Sequence, residues 1–237
     1  MTRLRSLLFM VWMYVSMVVY GLGLSPLILL PRPAAMWVIR GWAGCVLWGA
    51  RWIAGIRVEF RGLEHRPQGA ALIAGKHLSM LDTIAPFAVL KDPCFVLKHE
   101  LIYLPFFGWF AWRARMVPIR RSDAAKALKS MVTLTRVRLK EARQVLIFPE
   151  GTRSDVGEIA SYKPGVAALY RDLDVPLHLL ATNSGQFWPA HGIDRKPGTI
   201  VFEFLPPLPA GLKRGDMMSQ MQARLEEASN RLITENT

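Results

Sequence analysis

The chain opens with a long apolar stretch. Residues 6–31 contain no charged side chain, and Leu, Val, Met, Trp and Tyr dominate them. Such a length is enough for a helix to cross a hydrocarbon core of about 30 Å. Gly21, Gly23 and Pro26 interrupt the second half, so a helix that enters the membrane, breaks and returns explains the pattern as well as a full span does. A cleaved signal peptide is the competing interpretation, but no convincing small-residue cleavage site follows.

A second apolar segment, residues 34–56, combines tryptophan with arginine. Its members of these two types are Trp37, Arg40, Trp42, Trp48, Arg51 and Trp52. Both side chains suit the headgroup level of a bilayer, which favours a helix hairpin lodged in one leaflet, or one span with an interfacial helix. Two ordinary spans are the alternative. We therefore predict that residues 1–56 form a membrane-anchoring helical segment, with Arg3 and Arg5 keeping its start cytoplasmic.

From residue 57 the pattern changes to short β-like runs that alternate with helical ones. Strands are expected at residues 57–61, 70–74, 94–97, 115–119, 145–148, 176–182 and 199–205. Helices are expected at residues 80–90, 105–113, 123–143, 163–173 and 216–233. This alternation predicts an α/β domain over residues 57–237, with a mixed, largely parallel sheet flanked by helices and preceded by a membrane-embedded two-helix segment.

One strand-to-helix turn carries a histidine with its own carboxylate. The apolar run at residues 70–74 stops at Gly75, His77 follows, and Ser79-Met80-Leu81-Asp82 has the serine-x-x-acid form of a helix start. Five residues on a regular helix would separate the two side chains, but a turn at residues 75–78 allows them to meet. An aspartate-held imidazole can take a proton from a hydroxyl near neutral pH. The competing interpretation is a structural loop histidine beside a capping box.

A second buried strand also ends abruptly in polar residues. Residues 145–148 are followed by Pro149-Glu150-Gly151-Thr152-Arg153. Ligands in α/β sheets bind beyond the carboxyl ends of strands, so Glu150 and Arg153 would lie near His77 if the two strands are neighbours. Arg153 suits a phosphate, and Gly151 lets a substrate approach the backbone. Taken alone, Glu150 and Arg153 could instead form a structural ion pair.

The composition limits the classes of molecule that the protein is expected to bind. Thirty Lys and Arg against eighteen Asp and Glu give a net charge of +12, which favours anionic partners: a phospholipid surface, nucleic acid or a phosphorylated substrate. Hydrophobic residues make up 51% of the chain. Cys45 and Cys94 lie in apolar surroundings and are interpreted as buried free thiols in a reducing compartment, rather than a disulfide or a metal site.

The two motifs together resemble the glycerolipid acyltransferase family. The first block is His77-x-x-x-x-Asp82, and the second is Phe148-Pro149-Glu150-Gly151-Thr152-Arg153-Ser154. Weaker blocks resemble the family in the same order: Lys98-His99-Glu100-Leu101, Met116-Val117-Pro118-Ile119-Arg120-Arg121, Lys163-Pro164-Gly165, Val175-Pro176-Leu177 and Asn183-Ser184-Gly185. The family commonly has an acid where this chain has Arg120. The resemblance runs from about residue 57 to residue 204.

The resemblance implies a role for each matching residue. His77 would be the general base on a glycerol hydroxyl, and Asp82 would hold its ring. Glu150, with Gly151 and Thr152 beside it, would shape the acceptor site or contact its glycerol oxygens. The phosphate would be bound by Lys98, Arg121 and Arg153. Donors for the carbonyl oxyanion are expected among backbone N–H groups near Gly151 or Thr152.

The implied reaction moves a fatty acyl group from acyl carrier protein or coenzyme A to the sn-2 hydroxyl of lysophosphatidic acid, giving phosphatidic acid. No metal and no prosthetic group is implied, because a thioester is already activated. The expected partners are the acceptor lipid, the thioester donor and an anionic phospholipid membrane, without nucleic acid. The active site is expected at the cytoplasmic face of the inner membrane.

Three alternatives remain open at this point. The acceptor could be another lysolipid, such as a lyso-ornithine lipid. A hydrolase could use His77 and Asp82 as metal ligands, although no further histidine or carboxylate cluster has ligand spacing. A non-catalytic basic protein that binds membranes or nucleic acid would satisfy the net charge, but it leaves both motif blocks unexplained.

Overall fold

The elements of the fold alternate as the sequence pattern predicts. The computed structural model describes residues 2–120, 124–158 and 160–235. Its strands are β1 (Ile56–Arg61), β2 (Ala71–Gly75), β3 (Pro93–Lys98), β4 (Val117–Ile119), β5 (Gln144–Ile147), β6 (Leu177–Thr182) and β7 (Gly198–Leu208). Its α-helices are α1 (Thr2–Gly23), α2 (Arg32–Gly49), α3 (Pro86–Val89), α4 (Phe107–Arg113), α5 (Ala124–Lys140), α6 (Gly165–Leu173), α7 (Ser184–Phe187) and α8 (Arg214–Glu235).

The strands form one seven-stranded sheet in the order β1-β7-β6-β2-β5-β3-β4. Every pairing is parallel except the antiparallel pairing of β6 with β7. All residues of β2 and β5 are buried, because helices and loops cover both faces of a parallel sheet. The predicted α/β class with a mixed, largely parallel sheet is confirmed.

One predicted helix is broken in the structure. Residues 80–90 form a 3₁₀ turn, Met80–Thr83, and then the short helix α3. Pro86 occupies the first turn of α3, where its missing N–H and fixed φ are tolerated, whereas they would interrupt a continuous helix. The predicted start of the long basic helix, at residue 123, lies outside the described residues, and α5 ends at Lys140.

The amino-terminal region consists of two helices packed on each other. A 3₁₀ turn, Ser25–Leu29, separates them, with Pro26 in its first positions. The indole N–H of Trp12 donates to the carbonyl of Cys45 at 3.1 Å. A Cβ atom on Gly49 would lie 2.3 Å from Cδ1 of Trp12, so this close approach requires glycine. Among the described helices, only α1 is both long and apolar enough to cross a membrane.

Helix α1 also packs against the rest of the chain. Phe9 makes an edge-to-face contact with Trp188, with ring centroids 5.2 Å apart. A Cβ atom on Gly21 would lie 2.5 Å from Cβ of Phe106. Trp188 follows β6 and α7, and Phe106 follows β3, so α1 touches segments beyond the carboxyl ends of both strands. The division into an anchor (1–56) and a catalytic domain (57–237) stays a prediction.

Candidate active site

The two motif blocks meet at one edge of the sheet, the one formed by the carboxyl ends of its parallel strands. Strands β2 and β5 are parallel neighbours, so their carboxyl ends lie side by side. His77 comes two residues after β2, and the turn at residues 148–154 follows β5. The backbone N–H of Ser154 donates to the carbonyl of His77 at 3.0 Å, which ties the two turns together. Lys98 ends β3 at the same edge.

His77 and Asp82 form a hydrogen-bonded pair. His77 Nδ1 lies 3.1 Å from Oδ2 of Asp82. The same oxygen accepts the backbone N–H groups of Leu78 and Ser79, each at 2.7 Å. The Ser79 hydroxyl accepts the N–H of Leu81 at 3.0 Å and donates to Oδ1 of Asp82 at 3.2 Å, so the predicted capping box is present. Asp82 therefore completes the capping box and holds the imidazole at once.

The plane of the imidazole is set by an aromatic neighbour. The His77 ring stacks on Phe148, with centroids 4.1 Å apart and 17° between the planes. A Cβ atom on Gly75 would lie 3.2 Å from Cε1 of Phe148, so glycine leaves room for that ring. The His77 side chain keeps 14% of its surface exposed. Because an ionised carboxylate only accepts, the Nδ1–H donates to Asp82, and in the neutral imidazole Nε2 then keeps its lone pair.

A serine at the start of helix α7 is a further hydrogen-bond donor to the Asp82 carboxylate. The hydroxyl of Ser184, at the start of α7, donates to Oδ1 of Asp82 at 2.5 Å. The fragment Asn183-Ser184-Gly185 was part of the family resemblance, but nothing in its sequence indicated a partner 102 residues earlier. A Cβ atom on Gly185 would lie 3.0 Å from Cβ of Leu78, so α7 packs tightly on the His77 turn.

The Glu150 carboxylate is buried in a network of protein donors. Its Oε1 lies 3.1 Å from Lys76 Nζ, and its Oε2 accepts the Ser154 hydroxyl at 2.8 Å. Burial raises the pKa of Glu150, and the Lys76 charge opposes that rise. Lys76 also forms an ion pair with Glu226 of α8, at 2.7 Å. The carboxylate of Glu226 in turn accepts the Tyr162 hydroxyl at 3.0 Å.

This network changes how the second motif is understood. Since both Glu150 oxygens are paired with protein donors, the geometry favours a role in shaping the site over direct contact with substrate. The sequence left open that Glu150 forms a structural ion pair with Arg153. Glu150 does form such a pair, but its partner is Lys76. Sequence reasoning missed Lys76 and Glu226, because their pairing joins positions 150 residues apart.

Three of the remaining predicted substrate residues, Lys98, Thr152 and Arg153, are exposed at the same edge. Thr152 and Arg153 are exposed, and Gly151 has a φ of +72°, which favours glycine. The Gly151 N–H donates to the Phe148 carbonyl at 3.0 Å, so it is already engaged and cannot serve freely as an oxyanion donor. Lys98 is exposed and lies 4.0 Å from Glu100. Arg121 lies outside the described residues.

Other candidate sites in the chain are separate from this edge. A groove of about 600 Å³ between α4, β4 and α5 is lined by His99, Trp112, Arg115 and neighbouring residues, and none of the described site residues borders it. Cys45 and Cys94 are free thiols; Cys94 is buried, as predicted, whereas Cys45 is only partly buried. Burial raises the pKa of Cys94 to about 11. In the described ranges, no three His, Cys, Asp or Glu side chains converge in a way that could hold a metal ion.

The buried Lys76 network yields a stability prediction. Lys76→Met removes the cation shared by Glu150 and Glu226 and leaves two carboxylates without their partner. The free energy of unfolding should fall by about 3–5 kcal/mol, the usual cost of breaking a buried ion pair. The measurement is thermal and denaturant unfolding in detergent. Lys129→Met, at an exposed lysine of α5, is the control and should stay within about 0.5 kcal/mol of the wild type. Equal stabilities for the two variants would contradict the network.

Comparison with known proteins places the chain in a family. A family model described as Acyltransferase matches residues 57–181. The 1-acyl-sn-glycerol-3-phosphate acyltransferase of Pseudomonas aeruginosa is 35% identical over 225 residues, which cover 94% of this chain and 88% of that protein. The 1-acyl-sn-glycerol-3-phosphate acyltransferase of Limnanthes alba is 30% identical over 193 residues, covering 78% of this chain and 67% of that protein.

A solved structure shares the whole fold. The crystal structure of the 1-acyl-sn-glycerophosphate (LPA) acyltransferase PlsC from Thermotoga maritima superposes with a TM-score of 0.80, covers 98% of each chain and is 19% identical. At that identity the likeness concerns the fold, whereas the family model and the P. aeruginosa enzyme carry the family assignment. The chain therefore belongs to the acyltransferase family, in which its relatives are 1-acyl-sn-glycerol-3-phosphate acyltransferases.

Proposed function

We propose that the protein transfers a fatty acyl group from an acyl carrier protein or coenzyme A thioester to the sn-2 hydroxyl of 1-acyl-sn-glycerol-3-phosphate, forming phosphatidic acid. The observation that carries this proposal is the His77–Asp82 pair, which is held beside a turn that presents Arg153. The names of its relatives support the acceptor, since they are 1-acyl-sn-glycerol-3-phosphate acyltransferases.

His77 acts as the general base. With Nδ1–H bound to Asp82, the unprotonated Nε2 accepts the proton of the sn-2 hydroxyl as its oxygen attacks the thioester carbonyl. The carbon–oxygen bond forms, the carbonyl electrons move onto oxygen, and their return expels the thiolate. The thiolate then takes the proton from His77, which restores the neutral imidazole. Asp82 stabilises the transient imidazolium through the bond that orients it.

The phosphate of the acceptor is held by cations at the same edge. In the acceptor, the reacting hydroxyl and the phosphate sit on adjacent carbons, so a phosphate-binding group must lie close to the base. Arg153 satisfies this requirement, because its neighbour Ser154 bonds directly to the His77 backbone. Lys98 and Arg121 are proposed to assist it. Orienting one hydroxyl against a carbonyl supplies much of the rate in acyl transfer.

The acceptor and the product are lipids, and the protein exposes an apolar surface that suits them. Helix α1 exposes Leu4, Leu7, Leu8, Val11, Tyr14, Val15, Val18, Val19 and Leu22. Helix α2 and the segment after it expose Trp37, Trp48 and Trp52, and the Arg51 guanidinium lies 5.3 Å from the Trp52 ring centroid. Exposed apolar patches of this extent mark interaction surfaces, and tryptophan with arginine suits the headgroup level.

A second exposed aromatic segment continues this surface. Tyr103, Leu104, Phe107, Trp109 and Trp112 are exposed around α4. The segment meets α1 at the contact between Gly21 and Phe106. We therefore place these helices in the cytoplasmic leaflet of the inner membrane, with the sheet edge that carries His77 facing the lipid.

The acceptor is tested by comparing lysolipids. We expect the purified protein with a labelled acyl donor to use lysophosphatidic acid with a kcat/KM roughly a hundredfold above that for 1-monoacylglycerol, because two or more charge-assisted hydrogen bonds to phosphate are lost. Lyso-ornithine lipid serves as a second comparison. Equal or better turnover of lyso-ornithine lipid would overturn the acceptor assignment and leave the acyl transfer chemistry standing.

The base is tested by substitution. His77→Ala and Asp82→Asn should retain the fold but lose at least about a hundredfold in kcat, since the general base or its orienting partner is removed. Folding is checked by circular dichroism and thermal unfolding. His191→Ala, at an exposed histidine in the loop before β7, is the matched control and should keep wild-type turnover. Near-normal turnover by His77→Ala would remove the proposed base.

Membrane binding is tested by placing charge on the exposed face of α1. The double variant Val11→Asp and Val15→Asp should lose most binding to vesicles of phosphatidylethanolamine and phosphatidylglycerol, because carboxylates within an inserted helix are costly. The measurement is flotation with vesicles. A matched double variant on α8, Ala223→Asp and Asn230→Asp, carries the same added charge and should bind like the wild type. Equal flotation of both variants would rule out α1 as the lipid-contacting element.

A further inference from the structure

An arginine outside every recognised motif is buried without a described carboxylate at ion-pair distance. Arg195 lies in the loop between α7 and β7 and is 7% exposed. Its guanidinium lies 4.7 Å from the centroid of the Trp188 ring. Its Nη1 donates to the carbonyls of Gly192 and Asp194, at 3.3 and 3.1 Å. Its Nε has no hydrogen-bond partner in the part of the chain that the structure describes.

The position of Arg195 is fixed by its backbone rather than by an ion pair. The Arg195 N–H donates to the Ser6 hydroxyl of α1 at 2.8 Å, and that hydroxyl donates to the Arg195 carbonyl at 3.2 Å. The neighbouring carboxylate, Asp194, lies 3.6 Å from Arg3 instead. Across residues 2–120, 124–158 and 160–235, no carboxylate reaches ion-pair distance of Arg195.

Such a cation is expensive to bury. Burial is the main reason why the pKa of Arg195 falls to about 10; the nearby charge of Arg153 also lowers it, whereas Tyr14 and Asp194 act to raise it. The group therefore remains protonated at neutral pH, although no described carboxylate lies at ion-pair distance from it. A buried charge normally has a partner, since desolvation without one is strongly unfavourable. An anionic ligand would supply the missing charge.

The surrounding contacts connect Arg195 to the catalytic turn. The Lys196 N–H donates to the carbonyl of Phe187, the last residue of α7, at 2.8 Å. At the start of the same short helix, a Cβ atom on Gly185 would lie 2.8 Å from Cγ2 of Val156, in the segment that follows Arg153. Helix α7 thus contacts both the loop that carries Arg195 and the segment that follows Arg153.

We propose that Arg195 is a second binding residue for the phosphate of the acceptor, acting together with Arg153. The assignment rests on the proposed function, because it takes the anion to be the phosphate of a lysophospholipid. Two guanidinium groups without a shared carboxylate match a phosphate monoester, which carries up to two charges and several acceptor oxygens. A lysophospholipid with a phosphodiester carries one charge and would gain less from the second arginine.

The test is Arg195→Met, which keeps an unbranched apolar stem over Trp188 and removes the charge. The KM for lysophosphatidic acid should rise about tenfold to a hundredfold, the usual effect of losing charged hydrogen bonds. Turnover of 1-monoacylglycerol, which has no phosphate, should not change. Lys196→Met is the control: it removes the adjacent exposed charge from the same loop, and the KM and turnover for both acceptors should stay unchanged. Arg195→Lys should restore part of the affinity.

The outcomes separate this inference from the proposed function. If Arg195→Met raises the KM for both acceptors equally, or lowers thermal stability and turnover together, Arg195 only supports its loop and the inference is wrong. An unchanged KM for lysophosphatidic acid also overturns it. If the wild type itself does not prefer lysophosphatidic acid to 1-monoacylglycerol, the proposed function fails instead. Should Arg195→Met not fold, the KM of Arg195→Lys for the two acceptors decides in the same way.

Discussion

The site depends on one buried carboxylate whose oxygens are all occupied. Asp82 accepts two backbone N–H groups, two serine hydroxyls and the imidazole of His77. A carboxylate that many donors hold cannot rotate, so the ring bonded to it is fixed in position and in tautomer. The same interaction closes the capping box after β2. The local fold and the proposed chemistry therefore use a single side chain.

The rest of the fold brings partners to that carboxylate from distant parts of the chain. Parallel pairing of β2 with β5 sets the turn with Arg153 beside His77, and Ser184 reaches Asp82 from the end of β6. Beneath the turns, Lys76 joins Glu150 to Glu226 of α8. Helix α1 lies over segments at the same edge, so the apolar surface and the polar site adjoin each other. That arrangement suits a reaction whose acceptor stays in the membrane.

How much the sequence predicted depended on the range of each interaction. Periodicity predicted nearly every strand and helix of the α/β domain, and the spacing of His77 and Asp82 predicted their pairing, because a turn and a capping box are local. The break at Pro86 was missed, since an apolar run outweighed one proline. No local signal in the sequence indicated that Glu150 pairs with Lys76, or that Ser184 donates to Asp82. Those contacts arise only when the sheet and helices pack.

In the proposed mechanism, Asp82 holds the neutral His77 ring with its proton on Nδ1 and a free lone pair on Nε2. Nitrogen-15 NMR of the full-length protein in detergent micelles, with labelled histidine and the His77 signals assigned by comparison with His77→Gln, measures this tautomer directly. For the neutral imidazole, we expect the proton on Nδ1 and none on Nε2, with that preference lost in Asp82→Asn. A His77 ring with its proton on Nε2, or one whose tautomer is indifferent to Asp82, would contradict the account.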